Sequence, residues 1–136
     1  MVTEKVFIIL VDDSPVNLQI GYNVLSDKYA VATARSAQML FRFLENEKPA
    51  MILLDIDMPE MSGYEAIKIL KSKPQTKDIP VIFLSSCTGL NDRIECLSLG
   101  AVDYIVKPFA SSFLLNRIES HLFNSECRYR FFYLCF

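Results

Sequence analysis

Five short apolar runs recur along the chain, and the stretches between them carry helical spacing. Val6 to Val11, Tyr29 to Thr33, Met51 to Leu54, Val81 to Leu84 and Asp103 to Val106 are too short for buried helices and read as strands. Strands alternating with helices argue for an α/β domain: a parallel sheet covered on both faces, joined by right-handed crossovers. The third run, MILL, is apolar at every position, as a strand buried on both faces must be. It ends at Asp55, and Asp57, Pro59 and Gly63 then break regular structure into a loop. A carboxylate where a central strand leaves the core is expected to be exposed, ionised and available as a nucleophile or metal ligand.

The helices announce themselves by their starts. Ser14 is placed to cap a helix that has Pro15 at its first position and runs to about Leu25, with Val16, Ile20 and Val24 spaced four apart. Ser36 caps a second through about Asn46, with Met39, Leu40, Phe43 and Leu44 as its stripe. Ser62 and Gly63 lead into a third, to about Lys71, with Ala66, Ile67 and Leu70 inward. Ser72 to Asp78 is a polar loop, and the fourth helix spans roughly Asn91 to Leu99, stopped by Gly100. The last begins at Ser111 or Ser112, with Phe113, Leu114, Ile118 and Leu122 on one face.

One domain of 136 residues accommodates this pattern. A net charge of −2 gives no general reason to expect nucleic acid or an anionic membrane as partner, and no apolar run approaches a membrane span of about 20 residues. Cys87, Cys96, Cys127 and Cys135 lack metal-ligand spacing, and His121 stands near none of them by pattern. They read as reduced thiols of a cytoplasmic protein.

Chemistry in such sheets collects at the carboxyl ends of the strands. There stand Asp12 and Asp13 after the first strand, Asp55 after the third, Ser85 after the fourth and Lys107 after the fifth. Taken singly, the acid pair reads as helix caps, Ser85 as a turn residue and Lys107 as a solvated loop lysine. Taken together they describe a site. Three neighbouring carboxylates repel unless a cation sits among them, and an all-oxygen donor set suits Mg²⁺. A phosphoryl group on Asp55 would lie between that metal and the Lys107 ammonium with the Ser85 hydroxyl, which is the electrostatic arrangement phosphoryl transfer requires.

These residues, with the segments LLDIDMPEMSG, IFLSS and DYIVKPF, resemble the receiver domain of two-component response regulators, of the chemotaxis-receiver type, over about Val6 to Phe123. The resemblance implies a doubly wound, flavodoxin-like fold with strand order 2-1-3-4-5. It implies Asp55 as phosphoacceptor, Asp12 and Asp13 as Mg²⁺ ligands, and the Asp57 main-chain carbonyl as a further ligand. It implies Lys107 as the phosphate-contacting lysine, followed by a cis bond to Pro108, with Ser85 as switch hydroxyl and Tyr104 as the aromatic that turns inward on activation. The phosphoryl source would be a phosphohistidine on a sensor histidine kinase or phosphotransfer protein. The chain would accept the group and lose it slowly, without turnover as an enzyme. Its output would be a two-state face built from the fourth helix, fifth strand and fifth helix. Asp57 and Cys87 occupy positions that in this family tune the phosphate's lifetime; Cys87 reads otherwise as a plain loop thiol.

Two rivals have weaker support. Asp55-Ile56-Asp57 satisfies the D-x-D core of haloacid dehalogenase-type phosphatases, but Pro59 stands where that family has Thr or Val, and Asp12 and Asp13 would have no role. A receiver-like binding module that no longer takes phosphate would not need the acids, hydroxyl and lysine intact. Residues 1–123 thus read as the receiver, and 124–136, ending FFYLCF, as an apolar tail. The tail extends the last helix against this domain or a second copy, marks where a longer regulator was cut, or does not fold. A homodimer would use it or the face around the fifth strand. No output domain follows within these residues, so the chain signals by contact alone or is a fragment.

Overall fold

The computed structural model describes residues 5–86 and 89–134, with side chains described except at 90 and 123–134. Among the described residues the order is β1 (Phe7–Val11), α1 (Pro15–Leu25), β2 (Ala30–Ala34), α2 (Ala37–Asn46), β3 (Met51–Asp55), α3 (Gly63–Ser72), β4 (Val81–Ser85), α4 (Leu90–Ser98), β5 (Asp103–Val106) and α5 (Ser111–Leu134). The strands form one parallel sheet in the order β2-β1-β3-β4-β5. The doubly wound fold expected from the resemblance is the fold observed.

Strand alternation divides the core in two. Ile9, Val11, Ile52, Leu54, Val81 and Phe83 pack on one face with α2, α3 and α4. Ile8, Leu10, Met51, Leu53, Ile82 and Leu84 pack on the other with α1 and α5. A strand with both faces covered cannot alternate apolar with polar, which is why β3 and β4 are apolar up to their last residues. Each large side chain so buried contributes about 1.5–3 kcal/mol.

The two expected caps, Ser14 and Ser36, are in place, and Ser62 is a third. The side chains of Ser14, Ser36 and Ser62 accept from the backbone N–H three residues on, and Ser62 forms a reciprocal capping box with Glu65. Asp12 and Asp13 are therefore not the caps of α1. The fourth helix closes at Gly100, whose φ is 104°.

Two helical faces need correction. In α1 the buried residues are Leu18, Gly21 and Leu25, while Val16 and Ile20 are 67% and 53% exposed. The helix is apolar on several sides, so spacing alone did not select the face that packs. In α5 Leu114 and Ile118 are buried but Phe113 is 45% exposed, because it faces α4 and β5 across a groove and not the sheet. The strand β2 begins one residue later than expected and runs to Ala34, and α5 continues without a break from the receiver pattern into the tail. The tail's side chains, including Cys127 and Cys135, lie outside the described residues, as does Cys87; Cys96 is buried, and its Sγ donates to Tyr64 Oη at 3.8 Å.

Register sets the geometry of the site. Val11 is level with Leu54, Asp55 with Leu84, and Ser85 with Val106. Asp12 and Asp55 therefore leave adjacent strands side by side, and Lys107 follows the strand that flanks Ser85.

Candidate functional site

Asp12, Asp13 and Asp55 place one carboxylate oxygen each within 4.8 Å of one another. Asp12 and Asp55 are only 2% and 5% exposed, whereas Asp13 faces solvent. The expectation of an exposed Asp55 thus fails: its carboxylate is packed beside Asp12 and Lys107, and the chain after β3 turns back on the strand's end. Gly63 N donates to Ile56 O at 2.8 Å, and Met58 N donates to the same carbonyl at 3.2 Å.

Lys107 binds the two buried acids together. Its Nζ donates to Asp12 Oδ2 at 2.6 Å and to Asp55 Oδ1 at 3.2 Å. The other Asp12 oxygen accepts from Ser14 N at 3.0 Å. The Lys107 backbone is fixed as well, its N–H donating to Ser85 O at 2.7 Å. The following bond to Pro108 is cis.

Burial, and then the Asp12 charge, push the Asp55 carboxyl up to about 6; Lys107 pulls it back and Asp13 adds a little. Burial alone would lower the Lys107 ammonium, but the hydrogen bond and charge of Asp12 and Asp55 outweigh it and raise it. The site therefore holds more negative charge than one lysine satisfies. Three oxygen donors, two of them shielded from water, fit a hard divalent cation such as Mg²⁺.

The other expected residues are placed as follows. Ser85 is fully buried at the end of β4. Tyr104 is 5% exposed and packed into the core cluster on the α4 side, so its ring is already inward in this structure. The Asp57 side chain is exposed and stands apart from the three clustered carboxylates. Sequence reasoning missed a second charged cluster. His121 Nε2 lies 2.9 Å from Asp103 Oδ2 and Arg117 Nη1 3.5 Å from the same oxygen, tying α5 to the start of β5. The signal was present in the i, i+4 spacing of Arg117 and His121.

Among the described residues no helix is long and apolar enough to cross a membrane. Residues 8–119 match the family model for the response regulator receiver domain. A probable cyclic di-GMP phosphodiesterase of Vibrio cholerae is 40% identical over 121 residues, which are 89% of this chain and 27% of that protein. The chain thus spans about a quarter of the full length of such relatives. The chemotaxis protein CheY4 of Vibrio cholerae superposes with a TM-score of 0.81 at 28% identity, covering 85% of this chain and 98% of that one. The receiver domain of the sensor histidine kinase PA1611 from Pseudomonas aeruginosa, with a magnesium ion coordinated in its active-site cleft, gives a TM-score of 0.79 at 28% identity, covering 87% and 98%. The family match spans the strands that carry Asp12, Asp55, Ser85 and Lys107, and it does not favour the phosphatase alternative. On the sheet order, the acidic cluster and these likenesses together, the chain belongs to the response regulator receiver domain family.

Proposed function

We propose that Asp55 is the phosphoacceptor, taking a phosphoryl group from a phosphohistidine of a sensor histidine kinase or phosphotransfer protein. The observation that carries this is the Asp12–Lys107–Asp55 bridge, a carboxylate held against an ammonium beside two further acids. An Asp55 carboxylate oxygen forms the new O–P bond as the N–P bond breaks, and the imidazole leaves and takes up a proton. Asp12, Asp13 and Asp55, with the Asp57 main-chain carbonyl, would hold Mg²⁺, which when bound supplies charge neutralisation for the transferring group. Lys107 orients Asp55 before transfer and contacts the phosphoryl oxygens after it. Ser85 then meets the phosphate, and Tyr104 holds the switched arrangement from its inward position.

Transfer replaces a single charge by roughly −2 on Asp55 and adds acceptor oxygens. The readout we assign is the face of α4, β5 and α5, where a groove of about 690 Å³ is bordered by Leu97, Tyr104, Phe113 and Arg117. Residues 1–123 form the receiver unit, and the tail from 124, which continues α5 to Leu134, is an extension available for self-association. The magnesium in the Pseudomonas aeruginosa receiver and that domain's place in a histidine kinase support the metal and the partner class.

Incubation with Mg²⁺ and phosphoramidate, followed by peptide mass spectrometry, tests the assignment. One phosphoryl group is expected, on Asp55, and none on Asp55→Asn. Labelling of the Asn variant, or steady hydrolysis of a phosphomonoester by the wild type, would overturn it.

A further inference from the structure

The turn that carries the chain from β3 to α3 contains a backbone conformation that its sequence does not favour. Glu60 has φ 70°, which makes it the one non-glycine residue in the left-handed region among the described residues. Gly, Asn and Asp visit that region readily, whereas a longer side chain is disfavoured there. Met61 N donates to Pro59 O at 2.8 Å. That bond, spanning Glu60 alone, closes a three-residue γ-turn, and a positive φ at its centre marks the rare and strained form.

The turn is held from both ends. Met58 is buried and Met61 partly buried, and both pack into the core cluster on the α3 side of the sheet. Met58 N and Gly63 N both donate to Ile56 O, at 3.2 and 2.8 Å. Two inward methionines three residues apart, and two donors drawn to one carbonyl, leave the exposed Glu60 to reverse the chain at the surface. A strained residue over-determined by its surroundings in this way points to a functional position.

What these bonds leave over is the Asp57 main-chain carbonyl. Nearby donors are committed elsewhere: Met58 N and Gly63 N to Ile56 O, Met61 N to Pro59 O, and Ser62 N to the Glu65 carboxylate. Pro59 has no N–H to offer. Among the described residues no N–H or O–H donates to Asp57 O. We propose that Glu60 is a positioning residue: the left-handed turn centred on it keeps the Asp57 carbonyl free and fixed for the metal, a role that rests on the assignment of that carbonyl as a Mg²⁺ ligand.

Glu60→Asn and Glu60→Val test this, since both remove the same charge while Asn accepts the left-handed region and a β-branched residue resists it. Each full chain is titrated with Mg²⁺ alone, without phosphodonor, and followed by amide NMR. Before metal is added, the temperature dependence of the Met61 amide shift reads the turn's hydrogen bond, which should be kept in the Asn variant and weakened in the Val variant. A turn formed in only a fraction of molecules raises the apparent Kd by the inverse of that fraction. The Val variant should therefore bind Mg²⁺ more weakly than the Asn variant by about fivefold or more. Glu60→Thr takes the place of Glu60→Val where the latter does not fold. Equal Mg²⁺ affinity in the Asn and β-branched variants, or a Met61 amide that does not distinguish them, would overturn the role of Glu60 and leave the metal site standing. No saturable response to Mg²⁺ in the wild type would instead remove the metal reading, and the role of Glu60 with it.

Discussion

Lys107 Nζ lies nearer to Asp12, at 2.6 Å, than to Asp55, at 3.2 Å, so the lysine is anchored chiefly by the acid that is not the proposed phosphoacceptor. Removing it would leave two buried carboxylates side by side with no counter-charge. Lys107→Ala is expected to lower stability at pH 7.5 by about 2–4 kcal/mol in urea unfolding, since breaking a mostly buried pair exposes the cost of the charges left behind. It should also carry the Asp55 carboxyl above its value of about 6, because Lys107 is what holds it down. Labelling by phosphoramidate should then need a more alkaline pH than in the wild type.

The opposite sign is expected for Asp55→Asn. A carboxyl raised from 3.8 to about 6 carries about 3 kcal/mol between its two protonation states. Because the folded-state value lies above the unfolded one, this contribution to stability is fully present below about pH 4 and is lost as pH rises through about 6. The Asn variant should therefore be more stable than the wild type by about 1–3 kcal/mol at pH 7.5 without metal, with the difference vanishing near pH 4. Unfolding curves at the two pH values measure it, and equal stability at pH 7.5 would show that the acidic cluster is not under repulsion.

Asp13 allows the metal to be separated from the fold. It faces solvent while its oxygen belongs to the acidic cluster. Asp13→Asn should change metal-free stability by about 0.5 kcal/mol or less, as surface substitutions do. Adding Mg²⁺ should stabilise the wild type by an increment that grows with the logarithm of its concentration, and that increment should shrink in the variant. Thermal melts across a Mg²⁺ series check both halves.

Much of this architecture was legible because the sheet is buried on both faces. Apolar runs such as MILL and VIFL admit few other assignments, and the residue that ends each run is by position at the sheet's carboxyl edge. Asp12, Asp55, Ser85 and Lys107 could be gathered that way before any coordinates. The packed face of α1 could not, because Val16, Leu18, Ile20 and Leu25 offer apolar positions around much of the helix. Nor could the burial of Asp55, which depends on Asp12 and Lys107 closing in from strands far away in the chain. The tie between Asp103 and His121 joins residues 18 apart; the spacing of Arg117 and His121 puts both on one helix face, but nothing local names the acid they meet.

Gly63 shows how closely the turn from β3 into α3 is fitted to Asp55. A Cβ there would stand 2.5 Å from the Asp55 carbonyl oxygen and 2.9 Å from Ile56 Cα, and neither is a flexible side-chain end that can swing aside. The same residue opens α3 and donates its N–H to Ile56 O at 2.8 Å. Gly63→Ala must therefore push α3 away from β3 or displace the peptide that carries Asp55. A loss of about 1–3 kcal/mol is expected, in the range of overpacked core positions. Because the displaced peptide is that of the proposed acceptor, the folded fraction should also take phosphate from phosphoramidate more slowly than the wild type. Unfolding curves and labelling rates at one temperature read the two effects separately. A variant of normal stability and normal labelling rate would show that β3 and α3 are not held at the separation seen here.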